Sequence, residues 1–247
     1  MAYNQFAYWY DALNGEADYD ALASQVCALL KGQGIGNGIV ADLGCGTGEM
    51  TLRLAQAGYD MIAVDASADM LSMVQEKLAR RNIPGVLLLC QRLEALDLYG
   101  TIRGAVSTFD TFNHLSPADL SRAIEKTSLF LEPGGVLIFD INTPFKHKSI
   151  LANEVFEIAV PGETREVCLW HNTLLEDESA TRIEIVLRRG EETLFAEEFL
   201  EYIHPLPAIE KELQTHGFAT AALLDGENFG DLRPNSQRAL FCAVKQK

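Results

Sequence analysis

The stretch Val40-Ala41-Asp42-Leu43-Gly44-Cys45-Gly46-Thr47-Gly48-Glu49-Met50 carries the strongest chemical signal in the chain. Gly44, Gly46 and Gly48 lie in a turn between an apolar run and a helical pattern. Glycines let the backbone bend sharply there and let a ligand approach without side chains in the way. The next acid in register is Asp65, at the end of a second apolar run. A carboxylate so placed accepts two hydrogen bonds from a ribose diol. Together these residues point to a nucleoside-containing cofactor. A dinucleotide fingerprint is spaced G-x-G-x-x-G and seats a pyrophosphate on the helix N-terminus. Here the spacing is G-x-G-x-G, and Glu49 follows in the first helical turn. An acid there repels a pyrophosphate and suits a cofactor bearing an ammonium and a sulfonium. An NAD-dependent oxidoreductase is therefore the weaker reading.

Other chemistries find less support. His114, His147, His171, His204 and His216 are dispersed, with no acids at metal-ligand spacing, so no metal is expected. No nucleophile elbow or P-loop occurs. The five cysteines are odd in number and widely spaced, without a C-x-x-C. That argues against a disulfide framework or zinc site and for a reduced, cytoplasmic protein.

The elements that must position these residues follow from the hydrophobic pattern. Strand-like runs at 39–43, 61–65, 86–90, 104–109 and 136–140 alternate with helical stretches. Ser67 is placed to cap one helix, and Ser116-Pro117 to open another. Continuous apolar strands between helices predict a parallel sheet covered on both faces, a doubly wound α/β domain. Its ligand belongs at the carboxyl ends of the strands. After Phe145 the rhythm changes. Runs at 154–160, 165–175, 180–189 and 193–204, with a turn signal at Pro161-Gly162, predict an antiparallel meander. In it Arg182, Glu184 and Val186 face one way and Ile183, Ile185 and Leu187 the other. A helix at 206–215 and strands at 219–224 and 239–244 return the chain to the first domain.

The 247 residues carry 20 Lys+Arg against 35 Asp+Glu, a formal charge of −15. Such a surface repels phosphate backbones and anionic membranes. Residues 151–204 hold 13 acids and 4 bases. This charge fits a solvated sheet face, and an acidic docking surface for a protein partner is the other reading. No apolar stretch is long enough for a transmembrane helix, and the N-terminus lacks a secretory signal pattern.

The motif DLGCGTG, the acid ending the second strand, and Leu131-Glu-Pro-Gly-Gly135 before the fifth resemble the class I S-adenosylmethionine (SAM) methyltransferases, in order and spacing. The opening Tyr3-Asn-Gln-Phe6-Ala-Tyr-Trp-Tyr10-Asp11-Ala-Leu13 resembles that of the YqeM-like bacterial methyltransferases. The resemblance implies a Rossmann-like seven-stranded sheet with an antiparallel β insertion after strand five that covers the active site. It divides the chain into N-terminal lid or strap helices (1–30), a SAM-binding domain (31–145 and 205–247) and an inserted meander (146–204).

Carried over residue by residue, Asp42, Cys45 and the amides around Gly44, Gly46 and Gly48 would line the amino-acid half of SAM. Asp65 would hold the ribose, with Ala66 and Met70 flanking the adenine. The family's usual acid at the adenine amino group is missing from Gln91-Arg92-Leu93. Gln91 could replace it, and the Leu93 amide is unaffected. Phe109 or Phe112 could face the sulfonium. Asp110 either caps its turn or orients or deprotonates a substrate, and His114 reads as an ordinary loop histidine. The N-terminal aromatics form a strap, or a lid in which Tyr10 or Tyr3 closes over the ligand. The resemblance implies methyl transfer, with a small-molecule acceptor ahead of protein or RNA and a non-catalytic SAM-binding protein as the rival.

Overall fold

The computed structural model describes residues 7–13, 18–159 and 166–246. Tyr3, Phe6, Val160, Arg165, the Pro161-Gly162 turn and the side chain of Tyr8 lie outside what it describes. The chain opens with α1 (Ala7–Leu13) and α2 (Tyr19–Gly32). Alternation follows: β1 (Gly38–Leu43), α3 (Glu49–Gln56), β2 (Tyr59–Asp65), α4 (Ala68–Arg81), β3 (Leu87–Cys90), β4 (Ile102–Ser107), α5 (Pro117–Phe130) and β5 (Leu131–Asn142). After the short α6 (Pro144–Lys146) come β6 (Val155–Ala159), β7 (Glu166–Leu174), β8 (Ala180–Arg189) and β9 (Glu192–Tyr202). The chain ends with α7 (Leu206–Thr215), β10 (Phe218–Asp225) and β11 (Arg238–Lys245).

Seven strands form one sheet in the order β10-β11-β5-β4-β1-β2-β3. β1 to β5 pair in parallel, while β11 runs antiparallel between β5 and β10. The doubly wound α/β expectation holds, with the seven-stranded Rossmann-like order. Strand order reverses between β4 and β1, and a crevice opens there beyond their carboxyl ends. The sequence signals act locally as read. Ser67 accepts from the Met70 amide at 3.3 Å, and Ser116 from the Asp119 amide at 3.2 Å, with Pro117 at the first helical position.

The meander is a second, four-stranded antiparallel sheet, β6-β7-β8-β9. Alternation along β8 decides its faces: Arg182 and Glu184 are exposed, while Ile183, Ile185 and Leu187 are buried. The apolar face packs with Cys168, Phe195 and the side chains of Trp9, Tyr10 and Leu13. Helix α1 is thus stapled under this roof. Its Asp11 also reaches the main domain, accepting from Thr47 Oγ1 in the glycine loop and from Lys77 Nζ on α4, each at 2.5 Å. Helix α2 behaves differently from α1. It buries Leu22, Ala23, Val26 and Leu30 against Val40, Val106, Val136 and Ile138, so it belongs to the core rather than to a strap.

Candidate functional site

A cavity of about 440 Å³ opens at the switch point, between the carboxyl ends of the main sheet, the inner face of the second sheet and α1. Eleven of the candidate cofactor-binding and catalytic residues line it, Tyr10, Gly44, Gly46, Asp65, Ala66, Met70, Gln91, Arg92, Leu93, Phe109 and Asp110, and the loop histidine His114 does too. Gly46 has φ +52°, and a Cβ there would meet nothing within 4 Å, so its backbone faces open space. The Asp65 carboxylate accepts from the Gly46 amide at 2.9 Å and the Ser67 amide at 2.8 Å. Those bonds aim it at the cavity. Burial raises its pKa and the amides oppose the rise.

Asp42, Cys45 and Gly48 are not on the wall. Asp42 is 1% exposed and accepts from Thr51 Oγ1 at 2.5 Å. Burial pushes its pKa up to about 7 against that hydrogen bond. Cys45 is buried behind the loop among Leu52, Ala63 and Leu71. Gly48 is required by packing: a Cβ there would lie 2.9 Å from Val74 on α4. Glu49 also departs from the expectation. It binds Lys77 Nζ at 2.8 Å and Arg53 Nη1 at 2.5 Å, and these cations outweigh burial and hold its pKa down. Its charge is spent between α3 and α4 rather than on a ligand. The Gln91 carboxamide lines the cavity but is tied to its own loop. It accepts from the Asp97 amide at 3.0 Å and donates to the Asp97 carbonyl at 3.1 Å. Glu94, paired with Arg92, brings a carboxylate to the same wall.

The loop after β4 is built around a buried ion network. Phe109 and Asp110 both take positive φ, 57° and 52°. Asp140, 1% exposed at the end of β5, accepts from their amides at 3.0 and 2.7 Å. Arg238 on β11 donates to Asp140 Oδ1 and Asp110 Oδ1, each at 2.8 Å. Its guanidinium also lies 5.6 Å from the Phe109 ring centroid, while Tyr19 packs on that ring at 4.6 Å. The cation beside Phe109 is therefore the protein's own, and Phe112 lies in the core against Phe139. The Asp110 side chain does not cap its turn. Burial would raise its pKa, but Arg238, Lys146 and His114 outweigh that and hold it below the usual carboxylate range.

At the roofed end stand residues with no local sequence signal: Asn142, Lys146, Trp170, Asn172, Glu201 and Arg238. Lys146 Nζ donates to Asn142 Oδ1 at 3.0 Å, and Asn142 Nδ2 to Glu201 Oε2 at 3.2 Å. Burial, then the charge of Asp110, pushes Glu201 up to about 8. Burial lowers the pKa of His114, against the charge of Asp110. Topology does gather a histidine with acids here. Ligand atoms of Asp110, His114 and Glu201 lie within 4.8 Å of one another. Asp110 in this set is already bound to Arg238, and Lys146 adds a second cation, an environment poor for a metal ion.

Residues 40–135 match the family model of a methyltransferase domain. A putative methyltransferase of Geobacillus sp. is 32% identical over 63% of this chain, which spans 64% of that relative's length. The putative methyltransferase YqeM of Bacillus subtilis is 28% identical over 100% of this chain and 98% of its own. A SAM-dependent methyltransferase from Clostridium acetobutylicum superposes with a TM-score of 0.86 at 25% identity, over 100% of both chains. Among the described residues no helix is long and apolar enough to cross a membrane. In its methyltransferase-domain match and in likeness over its whole length to such relatives, the chain is similar to SAM-dependent methyltransferases.

Proposed function

We propose that the chain transfers the methyl group of SAM to a small-molecule acceptor inside this cavity. The observation that carries the reading is continuity. One cavity joins a wall suited to a nucleoside to a polar end closed by a second sheet and a helix. When bound, SAM supplies an electrophilic methyl whose transfer to a lone pair leaves a neutral thioether. The protein's task is to align the reactants and exclude water. Gly44 and Gly46 give the cofactor backbone access, and Asp65 accepts from the ribose. Ala66, Met70 and the Leu93 amide hold the adenine. Glu94 is the carboxylate on that wall that can take the adenine amino group. Asp110, held ionised by Arg238, is a weak base and acts through its fixed negative charge.

In this proposal residues 31–145 and 205–247, with α2, form the SAM-binding unit, and 146–204 its roof. A macromolecular acceptor would have to pass that roof, and RNA would also face a net charge of −15. Five free cysteines suit a reducing cytoplasm. Calorimetric titration with SAM, S-adenosylhomocysteine and NADH tests the reading. Binding of the first two at micromolar levels, and not NADH, is expected. NADH binding with no response to SAM would overturn it, and SAM binding with no methylated product from any acceptor would leave a non-catalytic protein.

A further inference from the structure

Asn172 sits on β7, 3% exposed, on the cavity wall. Neither its Oδ1 nor its Nδ2 has a hydrogen-bond partner. Burying an amide with both ends unmet is costly, which makes this a poor choice for folding alone. A hydroxyl satisfies both ends at once, donating to Oδ1 and accepting from Nδ2. Also on the cavity wall is the Glu201 carboxyl, with an oxygen within 4.8 Å of one of Asp110. Arg238 is paired with both Asp110 and Asp140, so its charge is already matched before any anionic ligand arrives. With Glu201 ionised, three acids here face two bases, Arg238 and Lys146. A cation balances that end and an anion worsens it. Trp170 and Phe156 give the same space aromatic surface for a ring.

We propose that Asn172 and Glu201 form the acceptor subsite and select an amino alcohol, Asn172 taking its hydroxyl and Glu201 its amine. This rests on the methyltransferase reading above. The amine arrives as an ammonium. Its proton passes to a Glu201 carboxylate oxygen, which frees the nitrogen lone pair. That pair forms the new C–N bond as the methyl–sulfur bond breaks, and the released pair stays on sulfur. Groups facing Glu201 are Asp110 and His114 from the loop after β4, Asn142 from β5, Lys146 from α6 and Arg238 from β11. Burial and the charge of Asp110 push Glu201 up to about 8, against Asn142, Lys146 and Arg238, so it is largely protonated near neutral pH. Capture of an ammonium therefore releases a proton.

The test uses the full chain saturated with S-adenosylhomocysteine, whose own binding is measured first. Failure of that step would count against the methyltransferase reading itself. The probes are 2-aminocyclohexanol, cyclohexylamine, 1,2-cyclohexanediol and cyclohexanecarboxylate, titrated in buffers of different ionisation heat. The amino alcohol should bind at least tenfold more tightly than the diol or the carboxylate and release up to one proton at pH 7. Glu201→Gln should abolish the proton release. Asn172→Leu should cost the amino alcohol at least tenfold, leave S-adenosylhomocysteine affinity unchanged and raise the melting temperature. Preference for the carboxylate or diol, binding of none of the four, or a lower melting temperature for Asn172→Leu would each overturn the assignment.

Discussion

Arg238 on the last strand holds Asp140 on the fifth at 2.8 Å, and this pair fixes the left-handed turn at Phe109 and Asp110. Two consecutive non-glycine residues with positive φ are costly and persist only when their surroundings over-determine them. Asp140 supplies that constraint through both amides, and Arg238 ties Asp140 to Asp110. Asp140→Ala should destabilise the protein by about 3–5 kcal/mol, the scale for breaking a buried pair and stranding its partner. Urea unfolding followed by circular dichroism would show it, and a loss under about 1 kcal/mol would argue against the role.

The alternating glycines should separate by function. Gly46→Ala pays the left-handed penalty, roughly 1–2 kcal/mol, and puts a methyl where the backbone meets the cavity. Its SAM affinity should fall more than its stability. Gly48→Ala meets Val74 and should lose stability first, with SAM affinity nearly kept in the folded fraction. Melting curves beside calorimetry would distinguish the two, and identical profiles would contradict the assignment.

Asp65→Ala should weaken SAM by about 1.5–3 kcal/mol, the range for a hydrogen bond to a charged group. Gln91→Ala should leave SAM affinity nearly unchanged, because that carboxamide is bound to Asp97. Equal losses at the two positions would return Gln91 to the adenine site.

Asp42 makes stability depend on pH. Folded, it keeps its proton up to about pH 7, whereas an unfolded aspartate releases it near pH 4. Between those values the native state binds more protons, so this residue's contribution falls as pH rises through the interval. Three units correspond to at most about 4 kcal/mol. Asp42→Asn should flatten the stability profile between pH 4 and 7, and an unchanged slope in denaturant titrations would refute the account.

Asp11→Ala should loosen α1 from the glycine loop and from Lys77. The carboxylate is partly exposed, so the stability loss should stay near or below about 1 kcal/mol. The SAM dissociation rate should rise several-fold, and stopped-flow displacement by S-adenosylhomocysteine reads it directly. An unchanged rate would make α1 a passive strap.

What the sequence reveals and what it hides divide along physical lines. The glycine turn, Asp65, the Ser67 and Ser116 caps and the alternation of β8 are local, set by neighbours a few residues away. Asn172, Glu201 and Arg238 join the site only through pairing across the second sheet and the β11–β5 register. Arg238 pairs with Asn142 across that register, 96 positions earlier in the chain. Glu49 shows the opposite error. Its residue type and place matched a ligand, yet Lys77 and Arg53, one helix away and one turn on, claim its charge. A one-dimensional reading sees an acid but not the cations that neutralise it.

The roof is one antiparallel sheet whose cavity-facing residues fall at alternate positions and lie far along the chain from the glycine loop. Side chains there can be exchanged without disturbing the hydrogen bonds that hold the nucleoside wall. On the proposed reading, cofactor recognition and choice of acceptor are separately mutable, and editing one face of one sheet would change which acceptor fits.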